Sequence, residues 1–201
     1  LEGSNPPLTR LQVQMRMPPA TYPVRLRSFA TGQGVNGVGI GNVTVGPEAN
    51  FGFELPSFES SWQVQGAAFG RAPVTGRRAR WHAVFGYMGE RYADSYASLG
   101  SDASTGTLTS APFLLEKSHL MLLVAGGDDP RLGVDLVVDG SRELSVRGDR
   151  SMVFRPVFLP IARCRGRWAR LVVRDNSRKR WGFIAVDEIR QLDGPAPGVA
   201  P

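Results

Sequence analysis

Cysteine is nearly absent from this 201-residue chain, where Cys164 stands alone. A single thiol excludes an intrachain disulfide framework and a multi-cysteine zinc site. Lysine is almost as scarce. Lys117 and Lys179 are the only two among 24 Lys and Arg residues, so arginine carries the formal charge of +6. Phosphate-binding surfaces normally mix both residue types. The excess therefore reads as arginine-biased coding, and no nucleic acid is expected as a partner. Histidine is limited to His82 and His119, neither with a metal-ligand neighbour at strand or helix spacing. No apolar run nears the roughly 18 residues needed to span a bilayer, so no membrane span is expected. No segment reads as a secretory leader.

Catalytic signatures are missing as well. There is no Gly-Lys-Ser/Thr phosphate loop, no Gly-x-Ser-x-Gly elbow, and no glycine-rich turn that opens a helix after a strand. Carboxylates such as Glu54, Glu59, Glu90, Asp94 and Glu188 are present. Nothing in their spacing sets two of them about 5–10 Å apart across a cleft, as glycoside hydrolysis requires.

What is present is strand rhythm. At 42% hydrophobic and 21% charged, the composition is that of a globular chain. Leu11–Met17 alternates apolar and polar, Val24–Arg27 does so briefly, and Val35–Val45 is rich in glycine and β-branched residues. Further strands are expected at Trp62–Val64, Trp81–Phe85, Gly106–Thr109, Leu120–Val124 and Val134–Val138, then at Met152–Phe158, Ala169–Arg174 and Gly182–Val186. Turn segments such as Gly126–Pro130, Asp139-Gly140 and Arg174–Ser177 separate them. Short strands at this spacing predict an all-β sandwich or barrel. Alternation places Asp135 on an outward face. Trp62, Trp81, Trp168 and Trp181 are expected to divide between the core and an exposed platform, or all to lie in the core. Cys164 reads as a small hydrophobe on a strand, although flanking arginines could activate its thiol. Residues 1–50 read as a β-rich extension or the end of a preceding domain, 51–193 as the sandwich, and 194–201 as a Pro/Gly-rich tail.

Gly89–Tyr96 reads as a loop that combines Glu90, Arg91, Tyr92, Asp94 and Tyr96. Polar groups that take vicinal hydroxyls, beside rings that cover an apolar sugar face, suit carbohydrate. The same residues also suit an edge loop with a surface ion pair.

The order of segments adds a resemblance. Phe58-Glu59-x-x-Trp62 leads to Phe69-Gly70, and Gly86–Tyr96 follows. Then come Gly106-Thr107-Leu108-Thr109-Ser110-Ala111-Pro112-Phe113, Gly126-Gly127, Val138-Asp139-Gly140 and Trp181-Gly182-Phe183-Ile184-Ala185-Val186-Asp187. Over residues 52–192 this resembles the carbohydrate-binding modules of family 66, found in levanases and related fructan-active glycosidases. The resemblance implies an antiparallel jelly-roll β-sandwich of the galactose-binding, lectin-like kind. It also implies non-catalytic binding of glycan termini within a secreted or cell-surface protein, often with a structural Ca²⁺. By that resemblance the sugar site is expected at Glu90, Arg91, Tyr92, Asp94, Asp128 and Trp181. Calcium is expected at Glu59 and Asp187, if the first and last strands pair; a salt bridge from each to a neighbouring arginine is the alternative. Phe183 stands where the family has histidine, which removes a polar group from the ligand end. The arginines from Arg163 to Arg180 suit an acidic glycan or an acidic protein partner better than a neutral fructan. An adhesion module that has lost its sugar site is the second reading. A glycosidase using Glu90 or Glu59 is the third.

Overall fold

A computed structural model describes residues 51–194, apart from 60, 77–81 and 97–99. The strands expected before residue 51, the tail from 195 and Trp81 lie outside the described residues.

The fold is an antiparallel jelly-roll β-sandwich. One sheet is ordered β1 (Trp62–Gly66), β4 (Gly106–Ser110), β10 (Trp168–Asp175), β7 (Leu132–Val138), β8 (Ser141–Val146), with β5 (Phe113–Leu114) also paired to β10. The other is ordered β2 (Val74–Thr75), β3 (Arg91–Asp94), β11 (Ile184–Leu192), β6 (His119–Gly126), β9 (Ser151–Pro160). The alternating patterns explain the layers. Leu120, Leu122 and Val124 of β6 face Leu136, Leu171 and Val173 of the opposite sheet, and all are buried in one core. Each such side chain contributes about 1.5–3 kcal/mol by leaving water. An aromatic group of Phe51, Phe53, Trp62 and Phe113 closes one flank of that core with ring centroids 5.1–5.6 Å apart.

A second, smaller core explains most departures from the sequence reading. The outward residues of the five-stranded sheet do not face water. Tyr92, Phe154, Phe183 and Ala185 are covered by Val84 and Tyr87, from the segment before β3. Residues 82–84 therefore form a cover, not the expected strand, and Phe85 contributes one isolated bridge to Val153. Arg91–Asp94, expected within a loop, is strand β3 in register with Val186 and Ala185. Asp135 does point outward on β7, yet it is only 5% exposed. Arg174 and Ser145 on the flanking strands close over it at 3.2 and 2.5 Å. Cys164 is buried in a 3-10 turn (Ala162–Cys164), not on a strand.

Antiparallel register sorts the loops into two ends. The turns after β6, β8 and β10 share one end, and Asp139-Gly140 with residues 161–167 share the other. The eight residues of β10 separate the ends by about 23 Å.

Candidate functional site

The end built from residues 126–131, 147–150 and 176–183 holds an open cleft of about 670 Å³. It is lined by Asp128, Asp129, Pro130 and Arg131 of the first loop. Arg147 and Arg150 come from the second, and Lys179, Arg180 and Trp181 from the third.

Backbone contacts hold these loops together. The Trp181 carbonyl and the Gly126 carbonyl occupy the positions that a Cβ on Gly127 and Gly148 would take. Only glycine permits such approaches. Gly127 N–H donates to the Phe183 carbonyl at 2.9 Å, and Arg150 N–H to the Gly126 carbonyl at 2.8 Å. Buried Ser177 donates to Asp129 Oδ2 at 3.0 Å and accepts the Lys179 N–H. Arg131 takes both Asp129 oxygens, at 3.0 and 2.7 Å. That fork holds the Asp129 carboxyl well below the usual carboxylate range.

Trp181 is half-buried, with φ of +64°. A left-handed conformation is uncommon for a bulky residue and costs of order 1 kcal/mol. Its ring stacks on Phe183, at 5.9 Å and 23°. Phe183, itself only 3% exposed, meets the edge of His82 at 4.4 Å. Buried His82 donates to Asp94 Oδ2 at 3.0 Å and stacks on Tyr96 at 4.1 Å. Phe183 is thus the apolar base on which Trp181 rests.

The six residues expected around a sugar divide into three groups. Asp128 and Trp181 do share this cleft. Tyr92 and Asp94 are corrections, because they are 2% and 1% exposed, Tyr92 within the second core. Burial, with the neighbouring Asp94 charge, raises the Tyr92 hydroxyl above its ordinary pKa. Asp94 is occupied by His82 and by the Tyr96 N–H at 2.8 Å. Period-two alternation along β3 turns both side chains to the outer face of the sheet, where a covering segment buries Tyr92. Glu90 and Arg91 lie toward the opposite end of β3, where their N–H groups donate to Glu54 at 3.1 and 3.2 Å.

The calcium pair is corrected too. Strands β1 and β11 lie in different sheets, so Glu59 does not meet Asp187. Glu59 is exposed ahead of β1. The carboxylate near Asp187 is Glu54. Asp187 is buried, accepting the N–H groups of Met88 and Glu188, both at 2.7 Å. Burial, reinforced by the Glu54 charge, pushes it up to about 7. This corner offers the oxygen donors that Ca²⁺ takes. Among the described residues, however, no three His, Cys, Asp or Glu side chains gather as a metal-binding group.

The sequence reading passed over Arg131, Arg147 and Arg150. The signal was available in the Gly-Gly-Asp-Asp-Pro-Arg and Arg-Gly-Asp-Arg turns, each polar, short and placed after an apolar strand.

No protein-family model matches the chain. It is 30% identical over 129 residues to the protein named "Putative glycosyl hydrolase ecdE" from Aspergillus rugulosus. That match covers 64% of this chain, which spans 18% of the relative's length. Among solved structures, the fold is similar to TmCBM61 in complex with β-1,4-galactotriose. The TM-score is 0.50 and the identity 15%, covering 74% of this chain and 99% of that one. A cyclase from Fischerella sp. aligns at a TM-score of 0.45 and 10% identity, over 72% of this chain and 93% of the other. The likeness to TmCBM61 is one of fold, an antiparallel β-sandwich.

Proposed function

We propose that this chain is a non-catalytic carbohydrate-binding module, joined to a larger secreted or surface protein that acts on polysaccharide. The observation that carries the proposal is the cleft at the loop end. It sets the Trp181 indole beside Asp128 and a row of arginines on a sandwich of this type. An indole covers the apolar face of a sugar ring, while carboxylate and guanidinium groups take its hydroxyls. The relative named as a glycosyl hydrolase, of which this chain spans 18%, supports a role as one part of such a protein. The segment order keeps family 66 as the proposed subclass. Glu90 and Glu59 sit on separate segments, Glu90 beside Glu54 and Glu59 ahead of β1, which favours binding over hydrolysis. A structural Ca²⁺ belongs to the same proposal, moved from Glu59 to the Glu54–Asp187 corner.

The test is a glycan array followed by calorimetry on the 201-residue chain. The expected result is binding that Trp181→Ala weakens by about tenfold or more without unfolding the protein. Failure to bind any glycan by a folded chain would reject the reading. Glycan hydrolysis that disappears in Glu90→Gln would replace it with the glycosidase. Calcium chloride should raise the melting temperature, EDTA should reverse the rise, and Asp187→Asn should abolish it.

One observation favours the protein-interaction alternative. Phe85 and Val153 are bridge partners, 59% and 54% exposed, and Met88 nearby in sequence is 52% exposed. Apolar exposure of this kind marks interaction surfaces. Pull-down of a partner lost in Phe85→Ser, together with an empty glycan array, would select it.

A further inference from the structure

We infer that the loop-end cleft takes an anionic sugar, one that carries a carboxylate or a sulfate. This rests on the carbohydrate-binding reading above and names the class of ligand for it. The starting point is the charge that the cleft leaves unpaired. Five cations, Arg131, Arg147, Arg150, Lys179 and Arg180, line it against two carboxylates, Asp128 and Asp129. Two of the cations are already used. Arg131 is paired with Asp129 at 2.7 Å, and Arg150 with Asp128 at 2.9 Å. Among the described residues, the other three have no carboxylate partner within 4.0 Å. The Arg147 guanidinium donates to the Asp128 carbonyl, at 2.9 Å.

Three unpaired cations around one concavity repel one another, and the walls of a cleft focus their field. An anion seated there relieves the repulsion. It also gains charge-assisted hydrogen bonds from guanidinium forks, whose planar geometry matches a carboxylate or a sulfate. The loops cannot spread to dilute the charge, because Gly127 and Gly148 lock them backbone against backbone.

Shape selects a sugar over a protein. A cleft of about 670 Å³ is of small-ligand size, whereas a protein partner needs a broad face. Trp181 adds an apolar wall that a free inorganic anion does not need. It stands on Phe183 and is held in a left-handed backbone conformation, so the ring is fixed before any ligand arrives.

The inference is tested by calorimetry on the 201-residue chain with three probes: oligogalacturonate, a sulfated galacto-oligosaccharide and neutral β-1,4-galactotriose. The expected result is at least about tenfold tighter binding of one or both anionic probes, weakening as salt rises from roughly 0.05 to 0.5 M. Whichever anionic probe binds identifies the group, carboxylate or sulfate. Replacing Arg147 and Arg180 together with Gln should weaken anionic binding by about ten- to a hundredfold, and binding of the neutral probe, which loses only hydroxyl contacts, by no more than about threefold. Arg163→Gln with Arg167→Gln, at the far end, should change neither. Trp181→Ala should weaken every probe that binds.

Equal binding of all three probes, unmoved by the Arg147/Arg180 pair of substitutions, would overturn the anionic inference and leave the carbohydrate reading standing. No binding of these probes or of any array glycan would reject both. Poly-glutamate bound as tightly as oligogalacturonate, and still bound by Trp181→Ala, would reduce the cleft to a general cationic surface and overturn the inference as well.

Discussion

The two ends of the sandwich both carry clustered arginine, and they treat it in opposite ways. At the end near residues 161–167, each arginine meets a carboxylate. Arg163 reaches Glu143 at 3.3 Å, Arg165 reaches Asp193 at 3.1 Å, and Arg167 reaches Asp139 at 2.8 Å. At the other end Arg147, Lys179 and Arg180 have no such partner among the described residues, and they surround a cleft with an aromatic wall. Similar charge in sequence thus gives a neutralised surface at one end and a surplus at the other. Exposed pairs of the first kind contribute little to stability. A surplus inside a concavity is a feature that a ligand can use.

The contrast breaks most sharply at the cleft's backbone contacts. Gly127→Val puts side-chain atoms where the Trp181 carbonyl sits, and should cost about 3 kcal/mol in denaturant unfolding. An unfolding midpoint equal to wild type would show that the loops are not locked. A smaller effect is expected at Ser177→Ala, which removes the buried hydroxyl tying the third loop to Asp129. It should cost about 1 kcal/mol by the same measurement and weaken glycan binding with it.

The cleft end also has its own pH dependence. Burial, with the charges of Asp102 and Asp94 adding to it, pushes Asp175 up to about 7, above the roughly 3.9 of an unfolded aspartate. Between those values the folded state holds the extra proton. Stability therefore falls as pH rises from about 4 to about 7, then levels off. Asp175→Asn should raise the melting temperature relative to wild type at about pH 8, with the difference closing toward about pH 5. Melting curves that stay parallel to wild type across that range would remove Asp175 from the account. The smallest effect belongs to the paired end, where Glu143→Gln frees exposed Arg163 and should leave both melting and glycan binding unchanged.

How far the sequence carried depended on which face each strand showed. Val134–Val138, Leu120–Val124 and Ala169–Arg174 are apolar enough to be read as strands, and they are central ones. Strand β8, Ser-Arg-Glu-Leu-Ser-Val, carries no apolar signature because its edge position leaves it polar. Strand β3 looks like a loop in the sequence because Arg91, Tyr92 and Asp94 suggest a surface. Tyr92 is instead buried with Val84 and Tyr87, from a segment whose role has no local signature. Of the expected sugar residues, Asp128 and Trp181 come together because antiparallel register returns their two loops to one end. Glu90 and Arg91 sit at the other end of β3 for the same reason.

Composition and strand rhythm by themselves determined the all-β class, the position of the central strands along the chain and the want of a disulfide framework. These depend on side-chain period and residue type, which are local properties. The partnership of charges was decided by the tertiary structure alone. Arg163, Arg165 and Arg167 found carboxylates 20 to 28 residues away, whereas Lys179 and Arg180 were gathered with Arg131 and Arg147 around a cleft. A charge is neutralised by whatever lies within a few ångströms, and in a sandwich that neighbour is set by sheet register and by distance along the strands, not by distance along the chain.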